Sequence, residues 1–134
     1  MDILSRREHS TYELRIKLKK FKHEDKDLNE TIEKLKASNF INDERFAVMF
    51  IKSKAKSGYG PSYIAQYLMK KRIQPDLYDI NSLNINWESI CIDQFNKKRQ
   101  GRDINLKEKE KILRFLAYRG FSYEIIKNAL KEYD

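Results

Sequence analysis

The sequence predicts an all-α protein, a short, curved, elongated stack of helices. Three observations lead there. All four Gly and both Pro fall at points of punctuation, and few stretches alternate apolar with polar residues, so no strands are expected. Capping residues recur immediately before apolar stripes of helical period. The two ends of the chain also resemble each other without a gap, as repeated helical hairpins do.

Eight helices follow from the caps. The first starts at Ser10, where Ser10 and Glu13 form a capping box ahead of Leu14, Leu18 and Phe21. The second starts at Asp27, with Leu28, Ile32 and Leu35 inward and Asn39 at a left-handed stop. Asn42 opens the third, with Asp43 and Glu44 placed to favour its positive end and Phe46, Met49 and Phe50 as its stripe. Pro61 suits the first position of the fourth, which buries Ile64, Tyr67 and Leu68 and ends in Lys70, Lys71 and Arg72. Pro75 opens a short fifth helix through about Leu83. Asn86 caps the sixth, with Trp87, Ile90, Cys91 and Phe95, which ends near Gly101. Asn105 and Glu108 start the seventh, with Ile112, Leu113 and Leu116 inside and Gly120 as its left-handed stop. Ser122 caps the last, with Ile125, Ile126, Ala129, Leu130 and Tyr133. Leu14, Leu68, Leu116 and Leu130 are expected core residues.

Residues 3–21 slide onto 115–133: Leu4 meets Leu116, Arg7 meets Arg119, Ser10 meets Ser122, Leu14 meets Ile126 and Leu18 meets Leu130. The segment from Ile51 to Leu68 repeats the logic through Gly58-Tyr59-Gly60-Pro61. Such hairpins cannot bury their own faces and must stack on neighbours.

The 134 residues suit one domain or one short array, with 40% hydrophobic and 36% charged residues. No run approaches a membrane span and no signal peptide opens the chain. The single cysteine, Cys91, excludes an internal disulfide and fits a reducing compartment, so the expected location is the cytoplasm. The net charge of +8 favours an anionic partner: nucleic acid, a nucleoprotein or an acidic protein surface.

Catalysis finds little support. Cys91 beside Ile90 reads as a buried structural thiol. His9 and His23 lack metal-like spacing, and His9 beside a cap suits packing or a turn hydrogen bond. Gly58-x-Gly60 lacks the Gly-Lys-Ser/Thr of a phosphate loop and reads as a turn. Asp43 and Glu44 read as electrostatic caps. No catalytic residue, metal site or cofactor is expected.

Binding finds more. Arg45, Lys52 and Lys56 line one side of the third helix, and Arg15, Lys19 and Lys22 line one side of the first. Lys70, Lys71 and Arg72 end the fourth, and Lys97, Lys98, Arg99 and Arg102 end the sixth. Cations at helix ends also complement the dipole by roughly 0.3–1 kcal/mol each. That accounts for isolated cases better than for four clusters, which point to one extended basic surface. Tyr59, Tyr63 and Tyr118 either stack on bases or pack with their hydroxyls at the surface.

Several ordered blocks resemble the RecX family of bacterial recombination regulators. Arg6-Arg7-Glu8-His9-Ser10, followed by Glu13-Leu14 and Leu18, is similar to its opening motif. Phe40-Ile41-Asn42-Asp43-Glu44-Arg45-Phe46-Ala47 resembles its second block, and Gly58-Tyr59-Gly60-Pro61 with Ile64 and Leu68 its third. Asp79-Ile80 and Asn86-Trp87 match more loosely. Ile112-Leu113-Arg114-Phe115-Leu116, then Tyr118-Arg119-Gly120-Phe121, is similar to the closing block. Asn39 stands for the usual Gly and Asn42 for an acid, and both suit their turn and cap roles. Only Met1 to Arg7 precede the segment that carries His9-Ser10, so the first unit is expected to lack part of its N-terminal helix.

The resemblance implies tandem three-helix units, here drawn at 1–39, 40–83 and 84–134. It implies a non-enzymatic regulator that binds RecA recombinase filaments on single-stranded DNA and restrains strand exchange, ATP hydrolysis and the coprotease role. Apart from the resemblance, the chain is expected to be a monomer. The rival reading is a general DNA-binding helical protein that grips phosphates.

Overall fold

The computed structural model describes residues 8–20, 25–131 and 133. Among them are seven α-helices and no strand: α1 Thr11–Lys19, α2 Asp25–Ala37, α3 Asp43–Lys56, α4 Pro61–Lys70, α5 Trp87–Arg99, α6 Leu106–Tyr118 and α7 Tyr123–Ala129. Five start at side-chain caps legible in the sequence. The Ser10 hydroxyl accepts from the Glu13 N–H at 3.0 Å and Ser10 N–H donates back to Glu13 Oε1 at 3.3 Å. Asn42, Asn86, Asn105 and Ser122 accept from the N–H groups of Arg45, Ser89, Glu108 and Ile125. Each such bond satisfies one of the donors that a helix start leaves unpaired.

Three features depart from expectation. The fifth helix does not form. Its stretch makes two 3₁₀ turns, Pro75–Leu77 and Ile80–Leu83, separated by extended backbone at Tyr78 (φ −142°, ψ 159°). Neither turn buries a residue, so no packed stripe offsets the cost of nucleating a helix, and Asp79, Asn81 and Ser82 favour turns. Tyr67 is only half-buried, because its ring joins a surface stack. In addition, α2 is described from Asp25, two residues ahead of the expected start, and Phe21 lies outside the described residues.

The chain divides into two compact units. One takes the described residues of Met1–Phe50 with Leu68–Asp79, the other Ile51–Tyr67 with Ile80–Asp134. In the first, α1 packs on α2 through Leu14, Leu18, Leu28 and Ile32, and Ile41, from the turn before α3, joins the cluster. Three polar ties join its distant segments. The Lys71 ammonium donates to Glu13 Oε2 at 2.9 Å, the Thr11 N–H to Asp43 Oδ1 at 2.7 Å, and Arg45 Nε to Glu8 Oε1 at 2.6 Å. Leu68 is fully buried here.

In the second unit, α5 packs on both α6 and α7 around Cys91, Phe95, Leu116, Phe121, Ile126 and Leu130. Here two helix ends of opposite polarity cap each other. Gly60 N–H donates to the Arg119 carbonyl at 2.8 Å, and Ser62 N–H to the Gly120 carbonyl at 3.1 Å. The start of α4 thus finds acceptors in the carbonyls that α6 leaves open at its end. Only glycine permits this approach. A Cβ at Gly60 would lie 2.4 Å from the Gly120 carbonyl carbon, and one at Gly120 2.5 Å from the Tyr63 backbone nitrogen. Gly120 also holds φ at +104°.

Gly120→Val and Gly60→Ala are each expected to destabilise the protein by at least about 2 kcal/mol. Gly101, with φ +70° but open space around it, is expected to cost less than either on substitution by Ala. Urea unfolding of the three variants checks the ranking.

Candidate binding surfaces

A cluster of phenols and cations lies in the second unit, around the turn into α4. Tyr59, Tyr63 and Tyr67 are four residues apart and so share one side of the helix. Their rings form a ladder, with centroids 4.2 Å apart from Tyr59 to Tyr63 and 5.7 Å from Tyr63 to Tyr67. The Lys54 ammonium stands 5.5 Å from the Tyr59 ring and 5.7 Å from the Tyr67 ring. The Arg119 guanidinium covers Tyr59 at 4.1 Å and is 5.3 Å from Phe115. Its Nε is buried and makes no hydrogen bond among the described residues. Partial burial first, then the neighbouring phenols of Tyr59 and Tyr67, raise the pKa of Tyr63. Tyr118 stands beside them, 83% exposed. Phenolic donors beside two cations suit phosphate oxygens and exposed bases.

The cations expected to bind fall into two groups. Several are engaged within the fold. Arg45, besides its pair with Glu8, donates through Nη2 to the Asn39 carbonyl at 3.0 Å, so it braces the turn before α3. Lys71 and Glu13 are mostly shielded, their side chains 20% and 13% exposed. Arg15 donates to Asn29 Oδ1 at 2.6 Å, and the Arg72 guanidinium lies 5.4 Å over the Tyr12 ring. Arg99 donates to Asn96 Oδ1 and to the Arg102 carbonyl, both at 2.9 Å.

The others face solvent: Lys19 at the end of α1, Lys52 and Lys56 on α3, Lys70 at the end of α4, Lys97 and Lys98 on α5, and Arg102 after it. Lys98 also rests 4.2 Å from the Phe115 ring. Lys22 and His23 lie outside the described residues. Arg15, Lys19, Arg45, Lys70, Lys71 and Arg72 belong to the first unit; Lys52, Lys56, Lys97, Lys98, Arg99 and Arg102 belong to the second.

The remaining motif residues are largely structural. His9 is buried, and its Nε2 accepts from the Lys17 ammonium at 3.0 Å. Asp43 holds the start of α1, and Phe46 stacks on Phe50 with centroids 5.7 Å apart. Gly58 (φ +93°) lies against the Gln94 side chain. Pro61 is the first residue of α4, Phe121 is buried, and Phe40 is 62% exposed. Cys91 is fully buried, and burial first, then the Glu88 carboxylate, pushes its thiol up to about 11. The described residues contain no group of three or more His, Cys, Asp or Glu that could hold a metal ion.

Sequence reasoning missed Lys54, Tyr67 and Arg119 as parts of the tyrosine surface. The spacing of the three tyrosines was the available signal for Tyr67. Arg119 reaches Tyr59 only because the two helix ends meet.

Comparison with known proteins gives matches along the chain. Family models described as the first, second and third three-helix domains of RecX match residues 1–35, 42–79 and 90–130. A regulatory protein RecX of Pseudomonas fluorescens (strain SBW25) is 33% identical over 137 residues, spanning 100% of this chain and 88% of that protein. One from Haemophilus ducreyi is 35% identical over 124 residues, spanning 91% and 82%. The crystal structure of RecX from Lactobacillus salivarius superposes with a TM-score of 0.80 at 23% identity, covering 98% of this chain and 89% of that one. At that identity the superposition speaks for the fold.

Two outcomes test these placements. Lys71→Met is expected to cost about 1–3 kcal/mol, because it strands the shielded Glu13 carboxylate, whereas Lys52→Met on the solvent face stays within about 0.5 kcal/mol. Chemical denaturation reads both. The Cys91 thiol is expected to resist alkylation at pH 8 in the folded protein and to react at once in denaturant.

Proposed function

The chain belongs to the RecX family, and from that membership we propose that it binds RecA recombinase filaments on single-stranded DNA and restrains strand exchange, ATP hydrolysis and the coprotease role. As a member of that family it is a regulatory protein and not an enzyme. The observation that carries the proposal is the match to all three RecX domains in order along one chain.

The surface chemistry supports it. A filament on DNA offers both acidic protein and phosphate. Lys52, Lys56, Lys97 and Lys98 stand in solvent on helices that packing holds in place. Cations of this kind speed and strengthen encounter with a polyanion, with a strong dependence on salt. The tyrosine ladder beside Lys54 and Arg119 favours a second reading, a protein that grips DNA directly through phosphates and bases.

Light scattering and pull-down with recombinase filaments, set against single-stranded DNA alone, separate the two. Strong filament binding with weak binding to free DNA is expected. Lys52→Glu with Lys56→Glu is expected to weaken filament binding without unfolding the protein. If both lysines touch phosphate, their replacement by Ala flattens the log–log salt dependence by about 1.4 units. If they touch acidic recombinase surface, free-DNA binding barely changes. Equal affinity for filament and free DNA would favour the second reading. A folded double variant that restrains the filament normally would make this side of α3 a solvated face only.

A further inference from the structure

The second unit carries a separate open groove of about 400 Å³ between α6 and α7. Lys109, Leu113 and Ala117 share one face of α6, each four residues from the next, and Ile126 and Leu130 face them across the groove. Tyr123 stands at the mouth, 79% exposed. Lys109, Arg114 and Lys127 rim the groove, and among the described residues no carboxylate lines it. It shares no residue with the tyrosine surface or with the cations assigned above to filament binding.

We propose that this groove docks an acidic amphipathic helix of a partner protein, with aliphatic side chains on the floor and carboxylates on the Lys109–Arg114–Lys127 rim. The floor has the character of a helix-in-groove site, which takes anchors spaced three and four residues apart. The rim selects the charge of the occupant, since cations flanking an apolar trough favour carboxylates over other polar groups. A second copy of this chain fits poorly, because two molecules of net charge +8 repel each other. A nucleic-acid strand also fits poorly: the floor is aliphatic, and among the described residues Tyr123 is the one aromatic ring lining the groove.

The test uses the full chain and a fluorescein-labelled synthetic helix of Glu with Leu at the anchor positions. Three controls accompany it: a scrambled peptide of the same composition, a Lys-for-Glu version, and an oligo-dT strand. The acidic amphipathic peptide is expected to bind and to move the amide resonances of Leu113, Ala117, Ile126 and Leu130. Arg114→Glu with Lys127→Glu is expected to weaken it about tenfold or more. Lys52→Glu with Lys56→Glu, an equal change of net charge elsewhere, leaves its affinity within about twofold. Ala117→Trp, at an exposed wall position, is expected to block the groove while the circular dichroism stays that of the parent. Four results would overturn the proposal: no binding; equal binding of the scrambled or Lys-bearing peptide; oligo-dT moving the same resonances; or those resonances moving with protein concentration alone.

Discussion

The contact between the start of α4 and the end of α6 organises the second unit. A helix start presents unpaired N–H groups and a helix end presents unpaired carbonyls, and each must find partners. Here the Gly60 and Ser62 N–H groups meet the Arg119 and Gly120 carbonyls directly. The dipoles of the two ends are complementary, so the arrangement gains electrostatically as well as through hydrogen bonds. Its geometric condition is the absence of a side chain at both glycines. Once met, that condition sets Arg119 on the Tyr59 ring. The tyrosine surface thus joins a ring ladder set by spacing along one helix to a cation delivered by a backbone contact.

The first unit solves the same problem with side chains. Glu13 caps its own helix start through one carboxylate oxygen and receives Lys71 on the other. Asp43 serves the start of α1 from the first turn of α3, and Arg45 braces the preceding turn while pairing with Glu8. Charged residues that look like binding candidates in the sequence are thereby drawn into structure. The cations of the second unit are less committed: Lys52, Lys56 and Lys97 project from well-packed helices into water, and Arg99 is the member of that set most tied to its neighbours.

Much of this was legible in the sequence. Ser10, Asn42, Asn86, Asn105 and Ser122 announce five helix starts, because capping is a local interaction between residues three apart. Leu14, Leu116 and Leu130 lie on stripes that periodicity reveals, and Gly120 holds the left-handed stop expected of it. Pro75 misled, since a good first helical residue does not supply the apolar face a helix needs to persist. Tyr67 misled in the opposite way: it sits on the stripe of Ile64 and Leu68, but neighbouring rings offer it a better place at the surface. The engagement of Lys71 with a residue 58 positions away and of Arg119 with Tyr59 has no local signature. Long-range pairings of this kind depend on how helices meet, which spacing along one helix does not encode.

The account turns on the helix ends that cap each other, and amide hydrogen exchange of the native protein reads that contact directly. The Gly60 and Ser62 amides, although they lie at a turn and in the first turn of a helix, should exchange as slowly as those of Leu116 and Ile126 in the core helices. Exchange of both amides as fast as that of the open Gly101 turn would contradict the account, because the N–H groups would then be bonded to water and the tyrosine surface would lose its anchor.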